Sequence, residues 1–135
     1  MKTFFNDEDE KLKWTVQNKK TILKTIVFDV TENKSTAHNG TKGDYIVLKA
    51  KDWVIVIPEI DDDFIMVKQY RHGEKSLSVE FPGGVIDEGE DPEHAALREL
   101  KEETGYIPQK LTKLGSMNPN PALFSNHFHV FLAQN

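Results

Sequence analysis

Cysteine and long apolar runs are both missing from this chain of 135 residues. Without cysteine the chain can form no disulfide, zinc–thiolate site or thiol-dependent catalytic centre. The longest apolar run, WVIVI at 53–57, is far shorter than the ~20 residues that cross a bilayer. The N-terminal sequence MKTFFNDEDEKLKW reaches acidic residues soon after two phenylalanines, which is not the pattern of a signal peptide. We therefore expect a cytoplasmic location and no membrane partner.

Basic residues are outnumbered by acidic ones. The chain has 17 Lys and Arg against 22 Asp and Glu, which gives a formal net charge of −5. A phosphate backbone is usually met by a basic surface, so we expect no nucleic-acid partner. The length suffices for one domain with a hydrophobic core and not for two. We expect a single domain over 1–135, which begins with a strand arm at 1–50.

Short segments rich in β-branched and aromatic residues predict a chain made largely of strands. Asn39–Gly40 marks a turn between two of them, and the polar residues 1–13 are expected to be frayed or loosely packed. Together with one helix predicted at 92–104, the pattern indicates the α+β class. The predicted strands lie at 21–34, 45–50, 53–58, 64–71, 77–84, 111–117 and 127–133.

The helix is marked by its ends. Asp91 suits the N-cap, Pro92 the first helical position and Gly105 the place where a helix stops. Within the helix, Leu97 and Leu100 are expected to face the core.

The same helix carries Glu99, Glu102 and Glu103, whose spacing of three and four residues places them on one face. Like charges so arranged repel by roughly a few tenths of a kcal/mol per pair in water, and by more when desolvated. The ordinary interpretation of such a run is a solvated acidic surface. The alternative is a site for a hard divalent cation, Mg²⁺ or Mn²⁺, because dense oxygen ligands suit these ions. Arg98 can reach either Glu102 or Glu90.

The acidic loop before the helix starts at Gly83 and Gly84, which we expect to form a turn. The spacing over 84–106 resembles the signature of the Nudix hydrolase family, G-x5-E-x7-R-E-U-x-E-E-x-G-U, where U is bulky and apolar. Tyr106 departs mildly from the aliphatic residue that is commoner at the last place. Fixed residues at fixed spacings make this signal far more specific than a lone glycine motif. The residues in register are Gly84, Glu90, Arg98, Glu99, Leu100, Glu102, Glu103 and Gly105.

The resemblance implies an enzyme that uses Mg²⁺, or Mn²⁺ in its place, to hydrolyse a nucleoside diphosphate linked to another group. Metal ions would neutralise the pyrophosphate oxygens and lower the pKa of a water that attacks phosphorus. The carboxylates of Glu99, Glu102 and Glu103 would ligate the metal. Glu90 and Arg98 would pair to hold loop to helix. The resemblance further implies that the main-chain carbonyl of Gly83 is a metal ligand.

The resemblance also implies a fold. It is an α/β/α sandwich on a mixed sheet, preceded by an antiparallel strand extension, with 51–135 as the catalytic core. Family members usually carry a further acidic residue on a loop past the last strand. This sequence shows neither that loop nor a C-terminal helix, so we expect the core to be truncated at its C-terminus.

Beyond the signature, the segments WVIVIP, VKQYR and VEFPGGVIDEGE resemble the ADP-ribose or ADP-sugar pyrophosphatase branch. In that branch the N-terminal strands pair with a second subunit, which implies a homodimer, and an aromatic from them stacks on the adenine. Trp14 matches the setting of that aromatic, with a core role as the equal alternative. The alternative for Arg71 is a surface role at the strand end, and the equal alternative for Glu80 is a plain hydrogen bond at the strand end. The residues that the branch would place at the substrate are Trp14, Arg71, Glu80 and Gly84.

Several alternatives stay open at this stage. The loop at 117–126 reads Pro-Asn-Pro-Ala where ADP-ribose enzymes often have Pro-Gly, so the sugar is open, and GDP-sugar, NADH or dinucleoside polyphosphate could undergo the same reaction. A non-catalytic nucleotide-sensing module is the alternative of another class, although such modules typically lose the carboxylates that this chain keeps. His127 and His129 share a strand face without a partner nearby in sequence, which predicts packing or surface roles.

Overall fold

The computed structural model describes residues 4–135, which fall into two compact units. The first unit runs to Ala50 and includes Asn120–Ser125, and the second consists of Lys51–Pro119 and Asn126–Asn135. Every sheet lies within a single unit.

The first unit is an antiparallel meander of three strands, β1 (Trp14–Lys24), β2 (Phe28–Ala37) and β3 (Lys42–Ala50). β2 lies in the middle, and among the three strands it alone buries residues fully, at Thr31 and Ser35. β1 is exposed along its whole length. The sheet therefore has a well-packed centre and an open edge strand.

The single strand predicted at 21–34 is wrong, because the chain turns back between β1 and β2. The hydroxyl oxygen of Thr25 accepts the backbone N–H groups of Val27 and Phe28 at 3.2 and 3.0 Å. These local hydrogen bonds compete with the strand ladder and close a tight turn, although the sequence continues to be rich in β-branched residues.

The polar N-terminal segment, predicted to be frayed or loosely packed, contains a short 3-10 helix at Asp7–Leu12. Residues 1–3 of that segment lie outside the described residues. The side chain of Asn6 accepts the Glu8 N–H at 2.9 Å, and the carboxylate of Asp9 accepts the Asn6 N–H at 2.8 Å. This reciprocal capping orders the first turn, so fraying is the wrong alternative for these residues. The segment buries no residue, which agrees with the alternative of loose packing.

The second unit is built on a mixed sheet. Its central strand β4 (Trp53–Ile60) runs parallel to β10 (Phe128–Gln134), which pairs antiparallel with β9 (Lys110–Met117). On the other side of β4 lie β5 (Asp63–Phe64) and β8 (Gly83–Val85), both antiparallel to it. With strands predominating and one α-helix in the described residues, the predicted α+β class is confirmed.

A separate hairpin pairs β6 (Val67–Arg71) with β7 (Ser76–Glu80), which brings the described chain to ten strands. The continuous strand predicted at 64–71 is wrong. The chain leaves β5 at Ile65, whose N–H donates to the carbonyl of Pro58 at 3.0 Å, before β6 begins.

The helix α1 (Pro92–Thr104) packs on one face of the mixed sheet. Leu100, Ala95 and Ala96 are fully buried, and the two small residues allow the helix to approach closely. Leu97 is 36% exposed, so the expectation that it faces the core is wrong. The sheet residues in this core are Val54, Val56, Phe131 and Ala133.

The ends of α1 agree with the sequence prediction. Asp91 accepts the Glu93 N–H at 2.9 Å, and Pro92 occupies the first turn. Gly105 adopts a left-handed φ of 74° while its N–H donates to the Lys101 carbonyl at 2.9 Å. No helix in residues 4–135 has the length and apolarity needed to cross a membrane.

Replacing Leu100 by Ala should lower the free energy of unfolding by about 2–5 kcal/mol, because the change deletes a fully buried side chain and leaves a cavity. Leu97→Ala, on the same helix, is the matched control and should cost less than about 1 kcal/mol. Urea unfolding followed by circular dichroism measures both. Equal losses in the two variants would contradict the assignment of the inward face.

Candidate active site

The acidic face of α1 lies against β8, where Gly83 and Gly84 leave room for it. Glu103 accepts the Gly83 backbone N–H at 3.0 Å through Oε2. The Glu99 carboxyl group lies so close to Gly84 that a Cβ at that position would come within 2.4 Å of it. The predicted Gly–Gly turn is therefore wrong, since both glycines belong to a strand that pairs with β4 and supports the helix.

Arg98 ties the loop before α1 to the helix. Its Nε and one terminal nitrogen each donate to an oxygen of Glu90 at 2.9 Å, which makes a bidentate pair. The same terminal nitrogen donates to the Val85 carbonyl at 3.1 Å, and the other donates to Glu99 at 2.7 Å. Glu102 is a looser contact at 3.4 Å. Arg98 thus reaches both residues that the sequence offered, and Glu90 is the closer partner.

The ion pair between Arg98 and Glu90 shifts the pKa values of both residues. Hydrogen bonds from Arg98, and then from the backbone N–H of Asp87, lower the pKa of Glu90 from 4.5 to about 2. Glu90 and then Glu99 raise the pKa of Arg98 above its ordinary value. Arg98 therefore stays charged and offsets part of the repulsion among the neighbouring carboxylates.

A second ion pair lies on the β6–β7 hairpin. Arg71 donates through Nε to Glu80 at 2.9 Å across the two strands. This hydrogen bond, followed by one from Ser78, lowers the pKa of Glu80 to about 2, and it also raises the pKa of Arg71. The charge of Glu103 contributes to the raised pKa of Arg71, so the acidic face of α1 is within its electrostatic reach.

An open cleft of about 760 Å³ brings this ion pair together with β8. Arg71, Glu80, Gly83 and Gly84 all line it. The sequence interpretation did not identify its apolar wall, although Trp53 opens the WVIVIP segment and Val79 and Phe81 lie in the VEFPGG segment. Met66 belongs to the same wall and had no such signal.

Trp14 belongs to the first unit and lies on β1. Its side chain is 42% exposed and meets Tyr45 edge-on, with ring centroids 5.4 Å apart. A smaller cleft of about 370 Å³ borders it, with Lys13, Gln17 and His38 among its lining residues. The exposed ring is available for stacking.

The donor atoms on the acidic face of α1 are all carboxylate oxygens, which suit Mg²⁺ or Mn²⁺. Among the described residues, no three acidic or histidine side chains stand close enough together to hold a metal ion as they are placed. Glu99 and Glu103 are drawn to Arg98 and to the Gly83 N–H, while the Glu102 side chain is 61% exposed. Because the three share one face, rotation of their side chains can direct them to one ion, so the donor set fits.

Replacing Glu90 by Gln should lower the free energy of unfolding at neutral pH, and this difference from the wild type should disappear in acid. The folded pKa of Glu90 lies below 4.5, so its ion pair stabilises the folded chain above that pH and is lost as the pH falls towards about 2. Unfolding free energies of both proteins, measured between these limits and pH 7, should converge at the acid end.

The control for this prediction is Glu88→Gln in the same loop, where no ion pair is present within the described residues. It should follow the wild type across the whole range. A Glu90 carboxyl that titrates near 4.5 by NMR would contradict the assigned pair.

Three comparisons place the chain among known proteins. The NUDIX domain model matches residues 49–134. The chain is 38% identical over 121 residues to an ADP-ribose pyrophosphatase of Bacillus subtilis (strain 168), an alignment that covers 85% of this chain and 65% of the relative. It is 32% identical over 122 residues to the ADP compounds hydrolase NudE of Escherichia coli (strain K12), covering 89% and 66%.

A solved crystal structure of an ADP compounds hydrolase matches with a TM-score of 0.82 at 32% identity, covering 91% of this chain and 68% of that chain. This chain spans just under two thirds of the length of the two curated relatives. Nudix hydrolases generally use a divalent metal ion such as Mg²⁺. The resemblance drawn from residues 84–106 is confirmed: the chain belongs to the NUDIX domain family.

Proposed function

We propose that this chain hydrolyses the pyrophosphate bond of a nucleoside diphosphate linked to another group, most closely ADP-ribose or a similar nucleotide sugar. One observation carries the proposal: two carboxylates of α1, those of Glu99 and Glu103, lie against β8, whose glycines line a cleft that also contains Arg71. A pyrophosphate in that cleft meets a guanidinium and, beside it, oxygen ligands for the cations that it carries. The names of the relatives, an ADP-ribose pyrophosphatase and an ADP compounds hydrolase, support this substrate class.

The metal would be Mg²⁺, with Mn²⁺ as a substitute. Glu99, Glu102, Glu103 and the carbonyl of Gly83 would hold it. The chemistry that a bound ion supplies is neutralisation of the pyrophosphate oxygens and a water of lowered pKa. Gly84 contributes by having no side chain, because it lets the Glu99 carboxylate lie against the strand.

Arg98 and Glu90 would act as positioning residues. Arg98 is anchored by Glu90 and by the Val85 carbonyl, and from there it holds Glu99 at 2.7 Å. Its positive charge reduces the repulsion that would otherwise separate the carboxylates. These contacts keep the acidic face assembled before substrate arrives.

Arg71 would bind a phosphate of the substrate. Glu80 accepts hydrogen bonds from Nε and from one terminal nitrogen of Arg71. No partner of the other terminal nitrogen is seen in the described part of the chain, so that nitrogen can donate to a phosphate oxygen. The apolar wall of the cleft would reduce the solvation of the bound pyrophosphate and so strengthen its contact with Arg71.

We further propose how the nucleobase of the substrate is bound and how the chain assembles. Trp14 would stack on adenine, since its ring is partly exposed. Such stacking uses the flat face of the base and leaves the polar edge of the base free. We propose a homodimer in the cytoplasm, because pairing with a second copy would cover the exposed edge strand β1. Membrane and nucleic-acid partners are not part of the proposal.

Glu103→Gln should lower kcat by ~10²-fold or more, because it keeps the shape of the side chain and removes an anionic ligand. Stability should change little or rise, since repulsion is relieved. Phosphate release after phosphatase coupling measures turnover with Mg²⁺ on ADP-ribose, a GDP-sugar, NADH and a dinucleoside polyphosphate.

The matched control is Glu93→Gln, an exposed carboxylate in the first turn of the same helix, which should keep wild-type turnover. Full activity in the Glu103 variant would remove its proposed role. Absence of turnover by the wild type on every substrate of the panel would overturn the hydrolase and favour a nucleotide-sensing module.

Trp14→Ala should raise KM for ADP-ribose by about 5-fold to 100-fold, because stacking of a base on an aromatic ring contributes ~1–3 kcal/mol. The carboxylates on α1 are untouched, so kcat should stay nearly constant. Trp14→Phe keeps an aromatic surface and should recover most of the affinity. An unchanged KM together with a melting temperature several degrees lower would instead support a core role.

A further inference from the structure

A serine, a histidine and an aspartate meet on the mixed sheet of the second unit. The Oγ of Ser116 lies 2.6 Å from Nδ1 of His129. Nε2 of the same ring lies 3.5 Å from an oxygen of Asp52. The other oxygen of that carboxylate accepts the His127 backbone N–H at 2.8 Å, which fixes its orientation. The sequence suggested no partner for His129, and the structure supplies two.

The register of the strands explains why Ser116, His129 and Asp52 lie close together. Ser116 on β9 and His129 on β10 are directly opposite each other, and His129 is also opposite Val54 on β4. Asp52 precedes Val54 by two residues, so it approaches the same face of the sheet. Ser116 and His129 lie on consecutive strands, whereas Asp52 comes much earlier in the chain, just before β4. Strand register brings the three together, which is why sequence spacing gives no sign of the cluster.

The cluster is separate from the carboxylates of α1. In the same register row, Gly84 pairs with Val54, which pairs with His129, which pairs with Ser116. Three strand spacings of about 4.8 Å place Ser116 roughly 14 Å from the glycine against which Glu99 lies. Chemistry at one place therefore does not require the other.

We propose that Ser116, His129 and Asp52 form a second hydrolytic centre, which acts on small activated carboxylic esters. A nucleophile within hydrogen-bond distance of a base, which is in turn oriented by a third group, is the arrangement that activates a serine. Here the serine is at Nδ1 and the carboxylate at Nε2. With Nε2 protonated and facing Asp52, Nδ1 has a free lone pair facing the hydroxyl.

The reaction balances with water as the only co-reactant. Oγ of Ser116 attacks the ester carbonyl carbon while its proton passes to Nδ1 of His129. The C–O bond to the alcohol breaks, and that proton leaves with the alcohol. Water then attacks the acyl-serine, gives a proton to Nδ1 and releases the carboxylic acid, after which Ser116 recovers its proton. The developing imidazolium is stabilised by Asp52.

Access and charge stabilisation are available at this position. Ser116 is exposed, whereas the His129 side chain is only 14% exposed and is therefore held in place. β9 is the outer strand, and within the described residues no strand pairs with its far side. Its outward backbone N–H groups are donors that an oxyanion can use. The register shifts beside Ser116, where Leu114 is the extra residue, and such bulges re-aim side chains.

The test uses a fluorophosphonate probe and p-nitrophenyl acetate, with EDTA present to remove divalent metal ions. We expect the probe to label Ser116, identified by peptide mass, and the ester to be hydrolysed. Ser116→Ala should abolish labelling, and His129→Gln should slow both reactions at least about 10-fold. Asp52→Asn keeps an oxygen acceptor for the His127 N–H and should also slow them.

Ser125→Ala is the matched control, since this exposed serine donates only to a backbone carbonyl, that of Leu48, at 3.4 Å. It should leave labelling unchanged. Circular dichroism of each variant confirms folding, and Ser116→Ala removes only one exposed hydroxyl. Labelling of the wild type that is absent, spread over other serines or equal in His129→Gln would overturn the proposal. Unchanged pyrophosphate hydrolysis in Ser116→Ala would confirm that the two centres are independent.

Discussion

The close approach of α1 to β8 is the constraint on which the rest of the second unit depends. The approach of α1 requires that Gly84 has no side chain, and the pairing of β8 with β4 requires the same of Gly83. A Cβ at Gly84 would come within 2.4 Å of the Glu99 carboxyl group, and a Cβ at Gly83 would come within 2.1 Å of the Val54 carbonyl oxygen. The first clash would move a flexible side chain, whereas the second would separate β8 from β4. At the observed distance the helix can bury Leu100 in the core while Glu99 and Glu103 lie against the glycines of β8.

Repulsion among the carboxylates of α1 would destabilise this packing unless a positive charge offset it. Arg98 supplies the compensation with one guanidinium, which binds Glu90 in the loop, the Val85 carbonyl in β8 and Glu99 on the helix. The Gly83 N–H does the same for Glu103. A divalent cation would complete the neutralisation, which is why the same arrangement that holds the fold together is suited to a polyphosphate substrate in our proposal.

The ends and the acidic face of α1 could be predicted because short-range rules fix them, whereas Gly83 and Gly84 were expected to form a turn and lie in a strand. Caps at Asp91 and Gly105 set the ends of α1, and i+3 and i+4 spacing sets its acidic face. Strand boundaries could not be predicted as well, since the turn at Thr25 rests on local hydrogen bonds that a β-rich pattern conceals. The pairing of Arg71 with Glu80 and the contact of Ser116 with His129 depend on strand register. A shift of one residue would reverse every side chain, and spacing in sequence does not report it.

The central claim is that the acidic face of α1 binds a divalent cation because β8 leaves room for its carboxylates. Binding of Mn²⁺ to the metal-free protein, followed by electron paramagnetic resonance, tests this without any substrate. The account predicts saturable binding in the wild type and weaker binding in Gly84→Ala, whose added methyl group displaces Glu99 while the fold is retained. Equal Mn²⁺ affinity in the wild type and in a variant with Glu99, Glu102 and Glu103 all replaced by Gln would contradict it.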